Sequence, residues 1–337
     1  MIKKILKNKI YALALFLLVT PSIVSAHVKW FVEGGTTSTY TTNEPSSYYF
    51  MIWTIIGITL ISIGILLEKK LPEQSKEKQY KLNSKKPKAA SIFSMFIGLF
   101  FILASFNGFL FSENLNNLGN LSSTLLISEL VIGVALLLGI AVRFFSVGLL
   151  ILWFVSFFYL GVINTLEALW VFATSIFLII YGRSNFSPFK KLDTANKKFL
   201  KYQEYAFPIL RILIGLNLAL LGFTEKLLRP ELGMAFLEKF QWNFMQNILG
   251  IDWYSNYLFV ISAGFTEVLI GVIFILGIVT RINALITITL FTIPLFFMGL
   301  VELIGHLPHL AIVLMLLIFG SQNKFKLFKK EQKQNSY

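Results

Sequence analysis

The chain has no cysteine among its 337 residues, only 3 histidines, and 17 acidic residues against 30 basic ones. The missing cysteine excludes disulfides, thiolate-ligated iron–sulfur clusters and thiol relays, so any redox role needs a bound cofactor or metal. The shortage of histidine makes each one conspicuous. Charge as a whole is scarce: 14% of residues are charged, 56% are hydrophobic and the mean hydropathy is +0.72. That balance leaves no ordinary soluble surface and indicates a polytopic membrane protein.

Residues 1–26 have the form of a secretory signal. Lys3, Lys4, Lys7 and Lys9 precede a short apolar stretch from Ile10 to Val19, and Val24-Ser25-Ala26 resembles a cleavage site. Cleavage makes His27 the outer N-terminus of segment 27–47; an uncleaved anchor extending through Pro21 is the alternative. The expected fold is all-α, with nine spans of roughly 20 residues at Tyr48–Leu67, Ser91–Phe111, Ser123–Val142, Phe144–Ile163, Leu166–Gly182, Ala206–Phe223, Tyr257–Val279, Asn283–Ile304 and Leu307–Gly320. Segments 68–90, 183–205 and 321–337 are strongly basic and all fall on one side. An excess of lysine and arginine marks the cytoplasmic side, which puts the N-terminus outside and the C-terminus inside a bacterial inner membrane. The same topology explains the net charge of +13 without nucleic acid, since the lysines flank spans and no aromatic reading platform accompanies them. The lysine-rich stretch Lys70–Lys88 is expected to be a solvated, flexible linker.

The second half repeats the first. Ser128–Arg143 (SELVIGVALLLGIAVR) recurs 138 residues later as Thr266–Arg281 (TEVLIGVIFILGIVTR), and the register holds to Gly182 and Gly320. Upstream, Ser105–Asn114 answers Gly222–Glu231 at a spacing of 117 residues. The difference falls in a longer outer loop around Glu238–Asn256, rich in aromatics, which serves either as an interfacial helix at headgroup level or as a lid. The predicted organisation is one peripheral span at 48–67 followed by two four-helix modules, 91–182 and 206–320.

Ionisable residues at membrane depth are costly and are functional candidates by default. Glu225 lies fourteen residues from Arg211, Glu267 fourteen from Arg281 and His306 fourteen from Gly320. Each spacing is about 21 Å in a helix, which puts all three, together with Glu129 of the first copy, in the outer half of the membrane. His306 and His309 flank Pro308, a good helix-starting residue, and Glu302 precedes them by one turn. Aligned with Glu302, His306 and His309 stand Asn164, Ala168 and Val171; Glu167 is the nearest acid, one residue off register. The first copy is thus expected to be scaffold and the second to carry the site. Glu302, His306 and His309 are candidate ligands or proton carriers, with Glu225 and Glu267 as an inner shell. His27, as a mature N-terminal residue, is a further candidate metal ligand suited to copper. Glu129 and Glu267 also admit a structural role, such as an interhelical hydrogen bond to a serine or an amide. Gly133, Gly139, Gly271 and Gly277 suit close helix packing.

The segments RILIGLNLALLGFTEKLL, TEVLIGVIFILGIVTR and VELIGHLPHLAIVL, with Arg211, Glu225, Lys226, Glu267, Arg281, Glu302 and His306 as their polar positions, resemble the DoxX family of small four-span bacterial membrane proteins. The resemblance covers about a third of the chain; residues 90–182 are similar to a degenerate second module. It implies a four-helix bundle and, for some members, association with quinone-linked sulfur oxidation or membrane redox partners. The functions left open are a redox-associated subunit binding a quinone or a copper, iron or zinc ion, a metal-handling protein using His27, and a non-catalytic assembly partner.

Overall fold

A computed structural model describes residues 46–72, 75–112, 122–183, 197–293, 295, 300–322 and 324–328. Among them all regular structure is helical. The principal helices are α1 (Ser46–Lys70), α2 (Lys76–Ser84), α3 (Lys86–Phe106), α4 (Ser122–Leu138), α5 (Val142–Glu167), α6 (Leu169–Tyr181), α7 (Gln203–Leu221), α8 (Pro230–Phe240), α9 (Asn256–Leu276), α10 (Thr280–Thr292) and α11 (Leu300–Phe319). Five helices, α1, α3, α5, α7 with its extension to Leu227, and α9, are long and apolar enough to cross a membrane; α4, α6 and the stretch 303–319 of α11 are shorter apolar helices. The protein is therefore a multi-helix membrane protein. The expected signal and His27 lie outside the described residues.

The helices pack in a closed circuit. In chain order α3, α4, α5, α6, α7, α9, α10 and α11 each contact the next, and α11 returns to α3. The first and fourth helices of each predicted module do touch, α3 with α6 and α7 with α11, but they pack more extensively across the boundary, α6 on α7 and α11 on α3. One hydrophobic core accordingly runs through both stretches, from Ala90 and Phe93 to Leu316 and Phe319. α1 stands outside the circuit against α9, with Phe50 and Trp53 on Phe265. Its C-terminal end is tied down by Glu68, which accepts hydrogen bonds from the Val279 N–H (2.8 Å) and from Lys326 (2.9 Å).

Local geometry recurs at the spacings of the sequence repeat. Arg143 donates from Nε to the Ile179 carbonyl (3.1 Å), and Arg281 donates likewise to Leu317 (3.2 Å), so each guanidinium covers the exposed carbonyls at the end of α6 or α11. The ends of α4 and α9 are covered as well. Arg211 donates to the carbonyl of Ile275 (3.0 Å), and Arg183 to those of Leu136 (2.8 Å) and Leu137 (2.7 Å). Arg183 is not the sequence equivalent of Arg211. That equivalent is Ser94, whose hydroxyl also reaches the Leu136 carbonyl (3.4 Å). The same carbonyls are thus served by cations from different parts of the chain.

Several expectations change. Gly133 and Gly271 do allow close approach, to Gly98 and Gly215 respectively. Gly139 and Gly277 instead end α4 and α9 with positive φ, 77° and 69°, where a side chain would strike Arg183 or Arg211. The basic linker is not wholly irregular: α2 is helical, with an i,i+4 ion pair between Glu77 and Lys81 (2.6 Å). α3 starts five residues earlier than expected, with Pro87 in its first turn, and stops at Phe106. The apolar run continues as a turn that buries Phe109, Leu110 and Phe111. Finally, Pro308 does not begin a helix but lies inside α11, which starts at Leu300.

Candidate functional site

α7 widens at its C-terminal end into one π-helical segment, Gly222–Leu227. Such segments insert an extra residue into the turn and re-aim side chains. Here Thr224 turns toward α5, whereas Lys226 turns toward α9. Lys226 Nζ lies 2.7 Å from both carboxylate oxygens of Glu267, with both side chains buried. Gly222 makes room for this pair, because a side chain there would meet the Glu267 Cβ at 2.8 Å. Glu225, on the same segment, is also buried.

In the first stretch the equivalent acid, Glu129, has no lysine. The position matching Lys226 is Phe109, and Glu129 accepts hydrogen bonds from the Phe111 N–H (3.0 Å) and the Ser105 hydroxyl (3.4 Å). The same acid is held by neutral donors in one place and by an ammonium in the other.

His306 and His309 are both buried at the junction of the two stretches. The Phe291 ring lies 4.8 Å from that of His306 and 6.0 Å from that of His309, with Trp170 6.1 Å from His309 on another side. His309 Nε2 is 2.9 Å from Asn217 Oδ1. Asn217 Nδ2 donates to the backbone carbonyl of Glu167 (2.6 Å). The Glu167 carboxylate accepts from the Thr224 hydroxyl (3.0 Å) and from Arg229 (3.4 Å), whose side chain reaches the surface. A polar chain therefore runs from half-exposed Arg229 inward to His309.

The same place in the first stretch is built differently. Trp153, equivalent to Phe291, donates its indole N–H to the carbonyls of Thr165 and Ala168, both at 3.1 Å. Ala168 is the equivalent of His306. Where an indole seals a helix end in one copy, a phenyl ring without a donor packs against an imidazole in the other.

The structure sets His306 and His309 on the same Phe291 ring and seats Glu267 with Lys226. The side chain of Glu302 and the whole of His27 lie outside the described residues, and among the described residues no three His, Cys, Asp or Glu side chains converge as metal ligands. Glu167 and Trp170, which contact Asn217, Thr224 and His309, belong to the first stretch. Asn217, Glu167, Thr224 and Arg229 escaped the sequence analysis as site residues. Asn217 was detectable by the same test that singled out the histidines: at 117-residue spacing its counterpart is Phe100.

The loop after α8 is pinned by Asn243, which donates to the Tyr254 carbonyl (2.8 Å) and to Asn256 (3.0 Å). Tyr254 donates to Ser262 (2.8 Å), and burial pushes its phenol above the usual tyrosine value, with the Ser262 bond pulling the other way. Ile248, Leu249 and Trp253 project outward from this loop. No protein-family model, curated protein or solved structure matches the chain.

Proposed function

We propose that the chain is a DoxX-like integral protein of a bacterial inner membrane, a redox-associated subunit that binds a quinone beside His306 and His309. In this proposal it has nine spans, one peripheral and eight in two duplicated modules, with the N-terminus outside and the C-terminus in the cytoplasm. The paired arginine contacts at 138-residue spacing support the duplication, and the basic inner ends support the orientation.

The observation that carries the functional proposal is the buried imidazole pair among the rings of Phe291 and Trp170, set where the first copy has an alanine and a valine. A quinone head group needs apolar, aromatic walls and a few hydrogen-bonding groups placed among them. The histidines supply the latter, and Glu225, Lys226 and Glu267 lie on adjoining elements as further carriers of charge. A quinone supplies two-electron chemistry when bound; the electrons come from or go to a partner subunit.

The test is the His306→Ala/His309→Ala double variant, purified from membranes and analysed for extractable quinone and for metals. Loss of quinone with normal membrane insertion is expected. Quinone content equal to the parent's would sink the proposal, and loss of a metal ion instead would turn it into a metal site.

A second role, as a non-catalytic assembly partner, is favoured by one specific observation: Glu129 and Glu267 are both engaged by internal donors. That role predicts a double-histidine variant indistinguishable from the parent in bound cofactor and in function.

A further inference from the structure

We infer that Asn217 is a positioning residue that holds neutral His309 as the Nε2–H tautomer, so that Nδ1 is its acceptor nitrogen and the ligand it favours is a quinol rather than a quinone. The ligand half of the inference rests on the quinone-binding role proposed above; the tautomer half does not.

The orientation of the Asn217 amide is settled by its other partner. A backbone carbonyl accepts hydrogen bonds and cannot donate them, so the group 2.6 Å from the Glu167 oxygen must be the amide nitrogen. Turning the amide over would set two acceptors against each other inside the protein, leaving both unsatisfied. The oxygen therefore faces His309. An amide oxygen accepts only, so the imidazole nitrogen 2.9 Å away carries the hydrogen. In a neutral imidazole the other nitrogen then has the lone pair, and the hydrogen bond made by one nitrogen fixes the character of the other.

The consequence for a ligand is one of sign. An acceptor at Nδ1 pairs with a hydroxyl donor, as in the reduced ring, and opposes the carbonyl of the oxidised ring, lone pair against lone pair. The residue that sets this polarity, Glu167, comes from the opposite stretch of the chain and acts through its backbone, so no substitution at its side chain removes the carbonyl. Asn217, by contrast, is replaceable.

The measurement is nitrogen NMR of the full chain in lipid nanodiscs with isotope-labelled histidine, practical because there are only 3 histidines to assign. His306→Gln and His309→Gln variants identify the resonances. The inference expects a protonated Nε2 and an unprotonated Nδ1 at His309, and a mixture of tautomers in Asn217→Leu. A protonated Nδ1 in the parent overturns the tautomer assignment while leaving the quinone proposal standing. Titration with a short-chain benzoquinol and with its oxidised quinone tests the ligand half, with roughly tenfold tighter binding of the quinol expected from one hydrogen bond gained. Equal affinity for the two forms overturns the quinol preference. Binding of neither form overturns the ligand half and the proposed function together, with the tautomer result judged separately. An Asn217→Leu variant that fails to fold costs nothing, because the parent's tautomer decides by itself.

Discussion

Removing either member of the Lys226–Glu267 pair should destabilise the protein severely, and removing both should not. The two groups meet at 2.7 Å through both carboxylate oxygens, with side-chain exposures of 1% and 10%, so each neutralises the other out of reach of water. Lys226→Met leaves a buried carboxylate whose cheapest escape is to take up a proton. From an ordinary glutamate value, that costs about 3.7 kcal/mol at pH 7. Glu267→Gln leaves a buried ammonium without its counter-charge. Both losses fall in the roughly 3–5 kcal/mol range found when one partner of a buried pair is lost. The double variant removes both of these charges together and should recover most of the loss, which makes the coupling energy at least about 2 kcal/mol. Thermal unfolding in detergent, arranged as a double-mutant cycle, measures all of this. Single-variant losses below 1 kcal/mol that simply add in the double variant would refute the claim that these charges depend on each other.

Gly277→Ala should cost about 2–4 kcal/mol, because it forces a side chain into a positive-φ site and against the Arg211 guanidinium that covers the end of α9. Gly57→Ala, with nothing within 4 Å, should stay within about 1 kcal/mol of the parent in the same melts. Raised by burial, the Tyr254 phenol stays protonated in the folded protein above the range where the unfolded chain ionises. Stability should thus be independent of this group below about pH 10 and fall above it, and Tyr254→Phe should flatten that fall in alkaline melts. For orientation, a cysteine at exposed Asn247 should react with an impermeant thiol reagent in intact cells while one at exposed Lys81 should not, and the reverse pattern would invert the topology.

The long apolar helices were legible because each rests on an apolar run that cannot be anything else in a membrane: α9 differs from its expected span by one residue at its start and three at its end. Misplaced boundaries share a cause, namely that apolar residues do not stop where helices do. Phe109–Phe111 belong to a buried turn after α3, and Leu300–His306 are continuous with α11 although Pro308 follows. The histidine pair was legible through its mismatch with the first copy. What was not legible were partners distant along the chain. Lys226 could be seen, but not that the π-helical turn aims it at Glu267. Glu167 was dismissed by register, yet it acts through a main-chain carbonyl, a group that every residue carries and that no side-chain pattern reveals.

The closed circuit of helices has a consequence for biosynthesis. α3 is among the first segments to enter the bilayer, and the face it offers to α11 remains uncovered until nearly the whole chain has been translated. Through that interval the nascent protein exposes an unfinished seam, and a ribosome that stalls or a message cut short before Leu300 releases a product that cannot close on itself. Quality-control proteases that sample loose membrane segments should therefore discriminate sharply between complete and incomplete chains, with the last twenty-odd residues of the circuit deciding the fate of everything inserted before them.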